Sequence, residues 1–190
     1  GKLPVLFVGQ YCSNGYSIVN DEVKAGRKMG KRVLKSHPKN ILYIGVDESD
    51  TMVGKNRRDA VFKVLMKDKL INIEEIKSDF SLETTEKLLD SYLRLKKPDL
   101  IISATDNMAL GAIKAIQKHG FKIPEDISIS GFGGYKVSDI ITPRLTTVKF
   151  DNERAGELAA ESIIKLINGE EVSKIQKIDF KFLDRESIKW

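Results

Sequence analysis

One stretch, residues 98 to 147, limits the folds open to this chain. It begins with Asp99-Leu100-Ile101-Ile102-Ser103-Ala104, an apolar run that closes on small residues. A run without polar alternation suits a strand buried on both faces, as in a parallel sheet. Thr105 and Asp106 follow, with side-chain oxygens placed to cap a helix. Met108, Ala109, Ala112, Ile113 and Ile116 then recur at helical spacing as far as Gly120, a stop signal. After Pro124-Glu125-Asp126, the run Ile127-Ser128-Ile129-Ser130-Gly131-Phe132 reads as a second strand. Strand, helix, strand in that order predicts parallel strands joined by a right-handed crossover.

The rest of the chain repeats the alternation. Residues 4 to 8 form an apolar run ending at Gly9, and residues 17 to 19 suit a short strand. Asn20 is placed to cap a helix with Asp21 and Glu22 in its first turn, which favours the helix dipole, and Pro38 marks its end. Residues 40 to 46 predict a strand that leads into the acidic loop Asp47-Glu48-Ser49-Asp50. A helix over about 54 to 69 buries Ala60, Val61, Val64 and Leu65, and residues 72 to 76 predict another strand. Ser81 caps a helix whose stripe is Leu82, Leu88, Leu89, Tyr92 and Leu95. Beyond Thr147 an extended segment reaches Asp151, a cap for a helix from Asn152 to about 167, and residues 175 to 183 read as a late strand. Such alternation implies an α/β sheet covered on both faces by helices.

At 190 residues the chain has room for one domain or two small lobes. No apolar run approaches the length of a membrane span. A lone cysteine, Cys12, excludes an internal disulfide and suits a reducing compartment. The net charge of +5 comes from dispersed residues: Lys67, Lys69, Lys77, Lys96 and Lys97 sit among acids near helix ends. Without a helix-turn-helix pattern, this piece is not expected to grip DNA itself. His37 and His119 have no cysteine or acid at metal spacing, and no phosphate-loop or Gly-x-Gly-x-x-Gly pattern is present. Neither a cofactor nor a catalytic activity is therefore expected. Gly1-Lys2-Leu3-Pro4 runs almost directly into a strand, so the chain is expected to begin mid-fold.

Three motifs carry a resemblance. Ala104-Thr105-Asp106-Asn107-Met108-Ala109-Leu110-Gly111, then Ile123-Pro124-Glu125-Asp126-Ile127-Ser128-Ile129-Ser130-Gly131-Phe132, then Pro143-Arg144-Leu145-Thr146-Thr147-Val148 resemble, in order and spacing, the LacI/GalR family of sugar-responsive repressors. Gly133-Gly134-Tyr135-Lys136-Val137-Ser138 and Phe182-Leu183-Asp184-Arg185-Glu186-Ser187 are most similar to its sucrose-operon repressors. The resemblance covers nearly the whole chain. It implies a periplasmic-binding-protein-like fold of type I, with two lobes between which the chain crosses three times. On that pattern residues 21 to 150 and 176 to 190 form the C-terminal lobe. Residues 1 to 20 and 151 to 175 are the remnant of an incomplete N-terminal lobe. It further implies a small carbohydrate effector, a cytoplasmic homodimer, and operator DNA held through a headpiece absent from this chain.

In open α/β sheets ligands bind beyond the carboxyl ends of the strands. Those ends read as Gly9-Gln10, Asp47-Glu48, Phe80, Thr105-Asp106 and Phe132-Gly133-Gly134, the mixture of polar groups and aromatics that a sugar needs. The resemblance makes Arg58 the arginine that reaches the effector, its fixed donors able to hold two adjacent hydroxyls. Its neighbour Arg57 reads as an ordinary surface arginine. Phe80 resembles the family's stacking aromatic, Thr105 stands where asparagine is common, and Asp106 matches a common aspartate. A core phenylalanine and plain helix caps are the simpler readings of these three. Gly133 and Gly134 depart from the family, where acids are frequent after the aromatic. They leave Tyr135 or backbone amides as substitutes, or a flexible turn. Phe150 and Asn152 at the third crossover, and Gln10, complete the candidates. Two rivals stand beside this reading: a sugar-binding protein of an ABC transporter with the same fold, and a fragment that mainly mediates dimerisation, with the amphipathic helix over 27 to 35 taking part.

Overall fold

A buried apolar run must pair its backbone groups with neighbours, and here it does so in parallel ladders. The computed structural model describes residues 3–190; Gly1 and Lys2, where the chain start was expected to lead into a strand, lie outside the described residues. Six strands form one sheet in the order β4 (Asn72–Lys77), β3 (Asn40–Gly45), β5 (Leu100–Ser103), β6 (Ser128–Gly133), β7 (Thr146–Phe150) and β9 (Phe180–Leu183). From β4 to β7 every pairing is parallel, with Tyr43 beside Ile102 and Ile102 beside Ser130. All four residues of β5 are buried, as its unbroken apolar run predicted. The second sheet holds β1 (Leu6–Val8), β2 (Tyr16–Asn20) and β8 (Ile175–Ile178), also parallel.

Five of the helices are α1 (Glu22–Val33), α2 (Arg58–Leu65), α3 (Leu82–Leu93), α4 (Asp106–Lys118) and α6 (Asn152–Ile167). The expected caps form: Ser81 Oγ accepts from Thr84 N at 3.0 Å, Thr105 Oγ1 from Met108 N at 3.3 Å and Asp151 Oδ1 from Arg154 N at 3.1 Å. Each satisfies an amide that the helix cannot pair internally. The helices α1 and α2 approach closely because a Cβ at Gly26 would lie 2.6 Å from the Arg57 carbonyl oxygen. Among the described residues no helix is long and apolar enough to cross a membrane.

The chain divides into two compact units. One comprises the described residues up to Asp21 with Phe150–Lys181, and the other Glu22–Lys149 with Phe182–Trp190. In the smaller unit Ile18, Ala155 and Ile178 make a core against which Leu6, Leu158 and Ala159 pack. In the larger, the tail is sewn along the sheet. Ser187 Oγ donates to Ile129 O at 2.6 Å and accepts from Thr146 N at 2.8 Å.

Several local expectations change. Residues 175 to 183 do not form one strand: they break at Asp179, β8 pairing with β2 and β9 joining the six-stranded sheet. Residues 176 to 190 are accordingly shared between the units instead of lying wholly in the larger. Asn20 is the last residue of β2, not a cap, and α1 begins at Glu22. The helix expected from 54 opens earlier, as a wide π-helical turn Thr51–Arg57, with Asp50 Oδ1 accepting from Met52 N and Val53 N. On α3 the buried residues are Thr85, Leu89 and Leu93, while Leu88 and Leu95 face outward. A short helix, α5 (Val137–Ile140), follows Tyr135.

Candidate functional site

Because β3 to β7 run parallel, their carboxyl ends lie along one edge of the sheet, and the segments leaving it carry the polar and aromatic groups of interest. Phe80 stands in the connection after β4, Ala104 and Thr105 after β5, and Gly133 to Tyr135 at the end of β6. Phe80 is 39% exposed and holds φ at +67°, a conformation in which a bulky side chain is strained. The Asn107 amide Nδ2 donates to the Phe80 carbonyl at 2.8 Å and helps to hold it there. An exposed ring on a pinned backbone is a platform on which the C–H face of a ligand can stack.

The arginine pair reverses the expectation. Arg57 is buried, 4% exposed, and donates from Nε to Glu22 Oε2 at 2.7 Å and from Nη2 to Glu22 Oε1 at 2.9 Å. Its Nη1 donates to the Ala104 carbonyl at the end of β5, and its guanidinium carbon lies 4.7 Å from the centre of the Phe132 ring on β6. Arg58, expected to face the ligand, instead grips Glu75 of β4 through Nε at 3.0 Å and Nη2 at 2.6 Å, reaches Asp59 at 3.0 Å, and stacks on Phe62 at 4.3 Å. The hydrogen bond to Glu75 raises its pKa above the usual arginine range. Adjacent residues on a helix point about 100° apart, so only one of the two can reach the strand ends. That one is Arg57. Glu22, expected in the first turn of the helix, is its buried counter-ion. The wholly buried Tyr43 belongs to the same neighbourhood: burial lifts its hydroxyl pKa well above the ordinary range, and the nearby Arg57 opposes the rise.

Asp106 is fully buried and its oxygens are occupied. Oδ1 accepts from Thr147 Oγ1 at 2.5 Å, while Oδ2 accepts from Ser138 Oγ at 2.6 Å and Tyr135 N at 3.1 Å. This carboxylate ties the start of α4 to α5 and β7. Thr105 caps α4 and is half-buried at the sheet edge. The turn after β6 is set by sterics: Gly134 has φ +65°, and a Cβ there would lie 2.4 Å from Lys149 Cβ. It is thus a tightly packed turn, not a flexible one, with the Tyr135 ring against Gly133 and 47% exposed.

The remaining candidates lie in the smaller unit. Phe150 is 4% exposed and packs edge-on against Phe180, with centroids 6.1 Å apart, so it is a core residue. Asn152 is the exposed first residue of α6, capped by Asp151. Gln10 is exposed beside Gly9, whose amide donates to Ile18 O at 2.8 Å. The structure therefore brings Phe80, Thr105, Gly133 and Tyr135 to one sheet edge with Arg57 and Phe132 buried beneath it, while Arg58 pairs with Glu75 and Asp106 and Phe150 are buried. Among the described residues no group of three or more histidine, cysteine or acidic side chains is arranged to hold a metal ion.

A parallel sheet covered by helices collects the connections that leave its strands along one carboxyl edge. Residues 31–188 match the periplasmic binding protein-like domain family, and the chain belongs to it. A lactose operon repressor of Rhizobium radiobacter is 36% identical over 108 residues, covering 56% of this chain and 96% of that protein. A sucrose operon repressor of Staphylococcus xylosus is 29% identical over 181 residues, 94% of this chain and 55% of that one. The crystal structure of a LacI family transcriptional regulator from Arthrobacter sp. FB24 in complex with lactose shares the fold, with a TM-score of 0.87 at 24% identity over 98% of this chain and 71% of its own. The chain spans about half the length of the curated relatives it matches along most of its own. Those relatives are repressors and regulators of transcription, so a transporter component is not favoured.

Proposed function

We propose that this chain is the effector-binding core of a LacI/GalR-type transcriptional repressor, and that its effector is a small carbohydrate such as sucrose. The observation that carries the reading is the carboxyl edge of the six-stranded sheet, where Arg57 is anchored beneath Phe132 and Phe80 is presented on a strained backbone. Phe80 supplies a stacking face, Thr105, Tyr135 and the amides of the Gly133-Gly134 turn supply hydrogen-bonding groups, and the buried Arg57 holds the ends of β5 and β6 beneath them. A sugar is recognised by this combination of directed donors and a flat apolar surface. The role is binding and not catalysis. In the full-length protein, a cytoplasmic homodimer, occupancy of this edge biases the protein between forms of different affinity for operator DNA, which is held by a separate segment.

Titration calorimetry of the full-length protein against sucrose, lactose and ribose tests the proposal. Phe80→Ala removes an exposed ring and leaves the fold intact. It is expected to weaken the bound sugar about tenfold, the loss of a stacking contact of roughly 1–1.5 kcal/mol. No binding of any sugar, or equal binding by wild type and variant, refutes the assignment.

A further inference from the structure

Several lysines on the larger unit pair with acids, whereas a run of cations along α1 shares one face without acids to match it. Elsewhere Lys77 pairs with Glu48, Lys96 with Glu74, Lys114 with Glu86 and Lys118 with Asp90. On α1 and the turn that follows it, Arg27, Lys28, Lys31 and Lys35 have no ion-pair partner among the described residues. Lys28, Lys31 and Lys35 recur at three- and four-residue spacing, so they share one face and span about 10 Å of helix. That face is concave. Lys28, Lys31, Arg32 and Lys35 line a cavity of about 420 Å³ with Phe182 and Asp184 of the tail segment.

The sole carboxylate in the cavity is already taken. Asp184 receives Arg32 Nε at 2.7 Å and Nη2 at 2.5 Å, and the Arg32 guanidinium lies 4.3 Å over the Trp190 ring. This stacked, doubly bonded arginine forms a rigid wall. The lysines opposite are mobile point charges that can close on an anion. Four cations against one carboxylate leave the cavity strongly positive, with Phe182 as its one apolar surface.

We propose that this groove is a binding site for a small anion carrying two or more phosphate groups, distinct from the edge assigned to the sugar. Several phosphate charges are needed to match several ammonium groups spread over about 10 Å, and the cavity has the volume of a small-molecule site. Phe182 is the one apolar residue among those that line the groove, and four of the six are cations, a lining suited to an anion more than to the apolar centre of a protein interface. Nor does the face suit pairing with a second copy of the chain. A two-fold contact would set these lysines against themselves.

The test is titration calorimetry of the full chain with sodium tripolyphosphate, repeated with the double variant Lys28→Glu/Lys31→Glu. Both side chains are exposed, so the fold is retained, and circular dichroism checks this. Saturable binding that weakens at least about tenfold in the double variant is expected, because two attractive charges become repulsive at short range. The charge-matched control Lys87→Glu/Lys122→Glu, also at exposed positions, is expected to keep it. Binding must also weaken as ionic strength rises. The proposal is overturned by the absence of saturable binding, by equal loss in both double variants, or by a chain that binds an oligoglutamate peptide in the groove and ignores tripolyphosphate.

Discussion

Glu22→Ala leaves the Arg57 guanidinium in place and removes both oxygens that accept from it, at 2.7 and 2.9 Å. The two side chains are 4% and 5% exposed, so water has little access to replace the lost partner. Breaking a buried ion pair from one side costs about 3–5 kcal/mol, because the remaining charge stays desolvated. Here the Ala104 carbonyl and the face of Phe132 still engage the guanidinium, which places the loss at the lower end, about 3 kcal/mol. For a chain of this length that is a fall of roughly 6–12 °C in melting temperature. The double variant Glu22→Ala/Arg57→Met removes both charges together and fills the space with a flexible apolar side chain. Replacement of a whole buried pair is often close to neutral, so the double is expected to be more stable than the Glu22→Ala single. Scanning calorimetry and urea unfolding of the four proteins in the cycle measure this directly. A single variant that loses less than about 1 kcal/mol, or a double that is worse than the single, would refute the argument that Arg57 is a buried charge depending on Glu22.

Two helical glycines should respond in opposite directions. Gly156→Ala on α6 meets nothing within 4 Å and is expected to raise stability by about 0.5–1 kcal/mol through helix propensity. Gly111→Ala on α4 would put a methyl group 2.2 Å from the Leu82 carbonyl oxygen, and a loss of about 2 kcal/mol or more in urea unfolding is expected as α3 and α4 are forced apart. Phe80→Gly relieves a left-handed backbone worth about 1–2 kcal/mol. It should therefore leave stability unchanged or higher while sugar affinity falls, and parallel loss of both would show the ring to be a packing residue. Asp90 is held at about 2, mainly by its hydrogen bond from Lys118 and then by that from Arg94, against an ordinary value of 3.8. A lowered carboxyl pKa stabilises the fold above the ordinary value, and that contribution disappears as pH falls from about 4 through about 2. Asp90→Asn should accordingly flatten the pH dependence of stability in this window, and an unchanged acid-unfolding profile would contradict it.

Local pattern alone determined a good deal of this protein. The apolar runs at β3, β5 and β6, the caps at Ser81, Thr105 and Asp151, and the inward residues of α2 and α4 were legible because burial periodicity and capping act over a few residues. The same periodicity contained the decisive arginine: Arg57, Ala60, Val61, Val64 and Leu65 share one helical phase, and Arg58 is out of step with it. What periodicity along α2 could not supply was the reason for burying a charge there. Its counter-ion, Glu22, lies 35 residues away on α1, and its other contacts come from the ends of β5 and β6. The break at Asp179, which sends β8 and β9 to different sheets, and the hydrogen bonds of Asp106 with Thr147, Ser138 and Tyr135 are decisions of the same kind. Where a side chain's energy depends on partners brought together only by the folded chain, the tertiary structure decides its role, since desolvation and pairing are set by the complete surroundings and not by sequence neighbours.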